Sequence, residues 1–121
     1  MSRRGNETTT LMASTALIAS ANSDYISTEG YDEALVFLFV TAKTGSPTSL
    51  DAAIYYSSDA GTTYAAPKTA EAFTQVTGST AAECLKLTNT GRGFRVVTTM
   101  VGGSTGNGFT FSVVVIQKRL G

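Results

Sequence analysis

Histidine and tryptophan are absent from this 121-residue chain, and cysteine occurs once, at Cys84. Without histidine there is neither a Ser-His-Asp triad nor a Cys-His dyad. With a single cysteine there is no disulfide framework within the chain and no His or Cys cluster to hold a metal. Charge is scarce as well. Nine Lys and Arg balance nine Asp and Glu, and charged residues make up 15% of the chain, against about 25% in ordinary domains. A neutral balance argues against nucleic acid as the main partner. No apolar run approaches the ~18 residues needed to span a bilayer, so no membrane partner is expected. These absences point away from an enzyme, and no cofactor is expected.

What is present fits one domain. The length suffices to bury a core without a metal or disulfide. Thr, Ala, Ser and 12 glycines dominate, and a surface so poor in charge is weakly protected against association. That composition suits a component of an assembly. Arg3 and Arg4, the stretch Leu11–Ala19 and Ala19-Ser20-Ala21 have the outline of a secretory signal. Asn6, Glu7 and three threonines separate the arginines from that stretch, and Ser14 and Thr15 interrupt it. We therefore expect a soluble chain that is not exported by itself. Residues 1–8, polar and unpatterned, read as an N-terminal arm, and residues 9–121 as a single β-domain.

Apolar residues recur with period two, the signature of strands. Leu50, Ala52, Ile54 and Tyr56 oppose Asp51, Ala53, Tyr55 and Ser57, and Phe109, Phe111, Val113 and Val115 oppose Thr110, Ser112, Val114 and Ile116. Strands are expected near 9–20, 24–28, 34–42, 50–57, 63–66, 72–77, 83–88, 93–101 and 108–118, the second the weakest. Turns are expected at Thr44–Pro47, Gly78–Thr80 and Asn89–Gly91, with Gly102–Gly108 closing a hairpin between the last two strands. About eight antiparallel strands predict an all-β, jelly-roll-like sandwich. The run Ala34–Val40 is apolar on both faces, with Leu35, Phe37 and Phe39 opposing Val36, Leu38 and Val40. A two-layer sandwich has one interior, so the other face must be covered by a loop of the same chain or, more simply given the short loops, by a homotypic neighbour. We assign Val36, Leu38 and Val40 to the outward, interface-forming face.

Ser57-Ser58-Asp59-Ala60-Gly61-Thr62-Thr63-Tyr64 matches the Asp-box pattern S-x-D-x-G-x-T-aromatic. Asp59 can accept backbone N–H bonds within the turn, and Gly61 supplies a positive φ. Thr63 and Tyr64 are then expected to begin the returning strand. The box is read as a structural turn, since one copy in so short a chain does not make a sialidase propeller. Asp24, Glu29, Asp32 and Glu33 surround Gly30 and are read as a solvated loop rather than a calcium site or a catalytic pair. Tyr25, Tyr31 and Tyr55 could form a sugar-binding platform, whereas Tyr56 falls in register with the core. Arg92, Arg95, Lys118 and Arg119, on or beside the last two long strands, are read either as ordinary edge-strand charge or as a patch that docks on an acidic shell protein, and the arm with Arg3 and Arg4 is a further candidate for the capsid contact. Cys84 has no histidine and no basic cluster to lower its pKa and is read as an ordinary side chain.

Taken in order, ALVFLFVTA, SPTSLDAAIYYSSDAGTTY, AFTQVT, LKLTNTGRGFRVVTTMVGG and FTFSVVVIQK resemble small structural proteins of tailed bacteriophages. The likeness covers roughly residues 10–118. Tyr64 stands where such proteins often have Trp, and no proline precedes Phe109. The resemblance implies a β-sandwich that decorates or cements a phage head, commonly as a homotrimer bound to the major capsid protein at the virion surface. Its alternatives are a tail or connector component and a carbohydrate-binding β-sandwich module.

Overall fold

The computed structural model describes residues 4–88 and 92–120, with side chains from Asn6 to Thr88 and from Arg92 to Arg119. It is an antiparallel β-sandwich with no helix among the described residues. The strands are β1 (Arg4–Leu17), β2 (Ile26–Ser27), β3 (Glu33–Thr44), β4 (Ser49–Ser57), β5 (Ala81–Leu87), β6 (Gly93–Val101) and β7 (Gly108–Leu120). One sheet has the order β1-β7-β3-β5 and the other β2-β6-β4.

Period-two alternation accounts for the core. Ala34, Val36, Leu38 and Val40 of β3 and Phe109, Phe111, Val113 and Val115 of β7 point inward, at most 2% exposed. They meet Leu50, Ala52 and Ile54 of β4 and Phe94 and Val96 of β6. Each fully buried Val, Leu, Ile or Phe contributes about 1.5–3 kcal/mol. Several buried polar groups are bonded across the sandwich, whereas Arg95 Nε is buried without a hydrogen-bond partner among the described residues. Gln117 reaches across the sandwich to donate to the Ser27 carbonyl at 2.8 Å. The chain between β1 and β2 runs along β6, where the Ser23 and Ser20 hydroxyls accept the amides of Val96 and Met100, each at 2.8 Å.

The sandwich of about eight expected strands has seven, and of the expected spans, 63–66 and 72–77 form only isolated bridges, Ala65 to Tyr56, Ala72 to Ala53 and Val76 to Leu50. The stretch still exchanges backbone hydrogen bonds with β4 at Leu50, Ala52, Ile54 and Tyr56, without forming a continuous ladder. Three other expectations need correction. Gly102–Gly108 does not close a hairpin, because β6 and β7 belong to different sheets and the loop crosses between them. The arm expected over residues 1–8 is, from Arg4 on, the first part of β1, with Arg4 opposite Leu120 and Thr8 opposite Ile116. This pairing is carried by the backbone, so polar side chains gave no sign of it. Lastly, Val36, Leu38 and Val40 are core, and Leu35, Phe37 and Phe39 form the outward face.

The apolar stretch that resembled a signal, from Leu11 on, lies in β1 against β7, with irregularities in register between Thr10 and Met12 and between Met12 and Thr15. The Asn89-Thr90-Gly91 turn and Arg3 lie outside the described residues.

Candidate functional site

The turn after β4 is held by one hydroxyl and one carboxylate. Ser57, buried at the strand end, donates from its hydroxyl to Asp59 Oδ1 at 2.8 Å and accepts the Gly61 amide at 2.8 Å. Asp59 Oδ1 also accepts the amides of Thr63 at 2.8 Å and Thr62 at 3.2 Å. The Thr63 N–H, then the Ser57 hydroxyl, favour the charged carboxylate and lower its pKa to about 2. Two successive residues have left-handed backbone, Ala60 with φ 60° and Gly61 with φ 100°.

This turn folds Tyr64 over the outer face of the three-stranded sheet. The Arg95 guanidinium stacks on the Tyr64 ring at 3.9 Å. Tyr25 meets Tyr64 edge to face, with centroids 6.4 Å apart, and its hydroxyl donates to the Arg92 carbonyl at 2.8 Å. Arg95 is therefore committed to an aromatic ring within its own chain. On the inner side, Tyr56 packs edge-on against Phe94 at 6.3 Å and donates its hydroxyl to Glu71. Burial, then the Glu71 hydrogen bond, hold the Tyr56 hydroxyl well above the usual phenol range. Between the turn and Arg92 lies a cleft of about 530 Å³, lined by Tyr56, Ser57, Ser58, Thr63, Tyr64, Ala65 and Arg92.

The tyrosines expected to form a platform are dispersed. Tyr25 supports the Asp59 turn, and Tyr55 lies beside Arg95 in the β4–β6 register. Tyr31 donates to Glu7 at 2.9 Å beneath the Arg119 guanidinium, 4.8 Å from its ring. Among the acidic residues, Glu33 pairs with Lys86 at 3.6 Å. No group of three or more His, Cys, Asp or Glu side chains able to hold a metal occurs among the described residues.

The second feature is the outer face of the four-stranded sheet. Leu35 lies between Lys86 and Ile116, Phe37 between Cys84 and Val114, and Phe39 between Ala82 and Ser112. Thr8 and Thr10 of β1 continue these rows. Phe37 and Phe39 stack with centroids 5.9 Å apart, and Phe39 is 37% exposed. Leu35, Phe37, Phe39, Val114 and Ile116 thus form a flat apolar stripe at the surface. Cys84 is exposed beside it as a free thiol. Sequence reasoning found that one face of β3 required a cover but chose the other set. Lys86 alternates with Leu85 and Leu87 and marks its own side of β5 as outward, but it bears on β3 only through the pairing of Leu35 with Lys86. Arg4 opens β1 opposite Leu120, on the strand rather than on a free arm.

Comparison with known proteins finds no matching family model and no matching curated protein. Solved structures do match. The SPBc2 prophage-derived protein YomS aligns with a TM-score of 0.57 at 15% identity, covering 98% of this chain and 96% of its own. A chain from the Bacillus endospore appendages, described as disulfide-linked pili, aligns at 0.50 and 14% identity, covering 99% and 93%. A chain of infectious bursal disease virus, Gt strain, aligns at 0.52 and 17% identity, with 97% of this chain matched to 32% of the viral one. At these identities the likeness is one of fold: the chain has a β-sandwich shared with a prophage protein, a pilus subunit and a viral protein.

Proposed function

We propose that the chain is a non-enzymatic structural protein of a phage virion, a decoration or cement protein on the head that binds the major capsid protein as a homotrimer. The observation that carries this reading is the apolar stripe of Leu35, Phe37, Phe39, Val114 and Ile116 on the outside of the four-stranded sheet. A sheet face of this kind is covered in an assembly, and contiguous apolar surface marks interaction sites. The low charge of the chain agrees with that role. Support also comes from the fold shared with a prophage-derived protein and a viral chain. Strand order β1-β7-β3-β5 over β2-β6-β4, with segment 65–76 beside β4 in place of an eighth strand, supports a jelly-roll description.

The test is the copy number of the protein in purified particles, with sedimentation of the isolated protein. Hundreds of copies per particle and a species larger than a monomer are expected. A few to a dozen copies would assign it to a tail or connector instead, and a strict monomer that never co-purifies with particles would overturn the reading.

A further inference from the structure

We infer that the cleft between the Asp59 turn and Arg92 binds an acidic sugar, a uronic acid unit whose carboxylate is taken by the Arg92 guanidinium. This goes beyond a structural role in a particle and does not depend on it.

The cleft has the dimensions of a small-molecule site, about 530 Å³. Tyr56 and Tyr64 line it with aromatic side chains of the kind that pack on a pyranose, Ser58 adds a hydroxyl, and the Thr63 side chain is taken up by Asp59 at its edge. These walls are already fixed. Tyr64 is held between Arg95 and Tyr25, Tyr56 between Phe94 and Glu71, and the turn by Asp59. A ligand entering here orders little that is not ordered beforehand, which lowers the cost of binding.

Arg92 differs from several other cations of the chain. Arg95 stacks on Tyr64, Arg119 donates to the Gly30 carbonyl, Lys86 pairs with Glu33 and Lys43 donates to the Thr77 carbonyl. The Arg92 side chain is exposed and has no ion pair or hydrogen bond among the described residues. Its backbone, however, is anchored, because its carbonyl accepts the Tyr25 hydroxyl at 2.8 Å and the Thr28 amide at 3.0 Å. A free guanidinium on an anchored backbone at the edge of an aromatic cleft can match a carboxylate through its paired N–H donors.

A sugar fits better than an acidic peptide. An extended peptide would need free backbone groups to pair with, and Tyr56 already exchanges both of its own with Ala65, at 2.9 Å each. What remains in the cleft is rings, hydroxyls and one cation, which is the chemistry of saccharide recognition.

The experiment is an NMR titration of the intact protein with sodium glucuronate, with glucose and an N-acetylated aspartate tripeptide as comparisons. Glucuronate is expected to shift Tyr56, Ser58, Tyr64 and Arg92, and glucose to bind about tenfold more weakly or worse. Arg92→Gln is expected to weaken glucuronate by about tenfold at an unchanged melting temperature, with Arg92→Lys intermediate. Absence of glucuronate shifts, shifts away from the cleft, equal binding of glucose, or indifference to Arg92→Gln would overturn the inference. Tighter binding of the tripeptide at the same residues would replace the sugar with a protein partner. Sedimentation and particle association, measured on the same variants, report separately on the structural role.

Discussion

Tyr25 lies directly across Gly93: a Cβ placed on Gly93 would come within 2.4 Å of the Tyr25 ring and hydroxyl, and equally close to the Ile26 carbonyl. The first residue of β6 is glycine because the tyrosine that supports the Asp59 turn crosses the sheet there. Gly93→Ala must displace either the ring or the β2 backbone, and the expected cost is about 1–3 kcal/mol. Urea denaturation measures it. Trimming the ring with Tyr25→Ala in the same chain should recover only part of the loss, since the clash with the Ile26 carbonyl remains. An unchanged midpoint in Gly93→Ala would mean that Tyr25 does not occupy this position in solution.

The Asp59 turn gives a prediction in pH. Its carboxyl is depressed to about 2, first by the Thr63 amide and then by the Ser57 hydroxyl. A depressed carboxyl stabilises the fold above its unfolded pKa, near 4, and this contribution disappears as pH falls through the folded value. The gap in melting temperature between the native protein and Asp59→Ala should therefore be full at neutral pH and close between about pH 4 and pH 2. A gap that persists undiminished at pH 2 would show that the carboxylate is not the acceptor.

In the same turn the two left-handed residues should respond oppositely. Gly61→Val should cost about 1–3 kcal/mol, through φ and through contact with the Tyr25 ring 3.0 Å from the new Cβ. Ala60→Gly relieves a left-handed residue of its Cβ, so it should be neutral or stabilising by up to about 1 kcal/mol. Comparing the two denaturation midpoints decides it, and a Gly61→Val variant as stable as Ala60→Gly would contradict the backbone described.

How much of this was legible depends on whether a segment alternates and on which side its partner lies. β4, β6 and β7 alternate strongly, and their spans were readable to within one or two residues. β3 is apolar on both faces, so its alternation fixed a strand without fixing its orientation. Only the register against Lys86 and Thr8, which is a long-range property, distinguishes Phe37 from Leu38. The glycine-rich loop after Val101 can close a hairpin or cross between sheets, and local turn chemistry serves both. Arg4–Thr8 pairs through its backbone alone, and a polar strand beyond the core carries no apolar pattern to read. At the candidate cleft, Tyr64 and Arg92 were both noticed in the sequence. That they share one cleft follows from the β4–β6 pairing, which places the end of one strand beside the start of the next.

The two faces of β3 give a direct test of that orientation. Leu38→Ala removes a core side chain and should cost about 2–5 kcal/mol. Phe39→Lys, on the outer stripe, should leave the unfolding free energy of the dissociated protein within ~0.5 kcal/mol of native. It should also lower the self-association expected in sedimentation. Phe39→Lys unfolding the protein, or Leu38→Ala leaving it untouched, would reverse the assignment of faces.

The final prediction concerns the first residues, which the sequence presents as a free arm and the structure pairs with β7 from Arg4 onward. Removing residues 1–7 strips the partner from Gln117 to Leu120 and removes Glu7, the acceptor of the Tyr31 hydroxyl. A handful of ladder hydrogen bonds is lost with it, so the truncated domain should be less stable by about 1–3 kcal/mol. The Tyr31 contact can be tested by itself. Its hydroxyl is held above the ordinary 10.0, first by the bond to Glu7. A raised folded pKa contributes stability below pH 10 that is lost as pH rises through the folded value. Glu7→Gln should therefore bring Tyr31 back toward its ordinary range in an ultraviolet titration, and reduce stability at neutral pH but not at strongly alkaline pH. Truncation without any fall in the denaturation midpoint, together with an unmoved Tyr31, would mean that this stretch does not rest on its own sheet and is free to reach a neighbour.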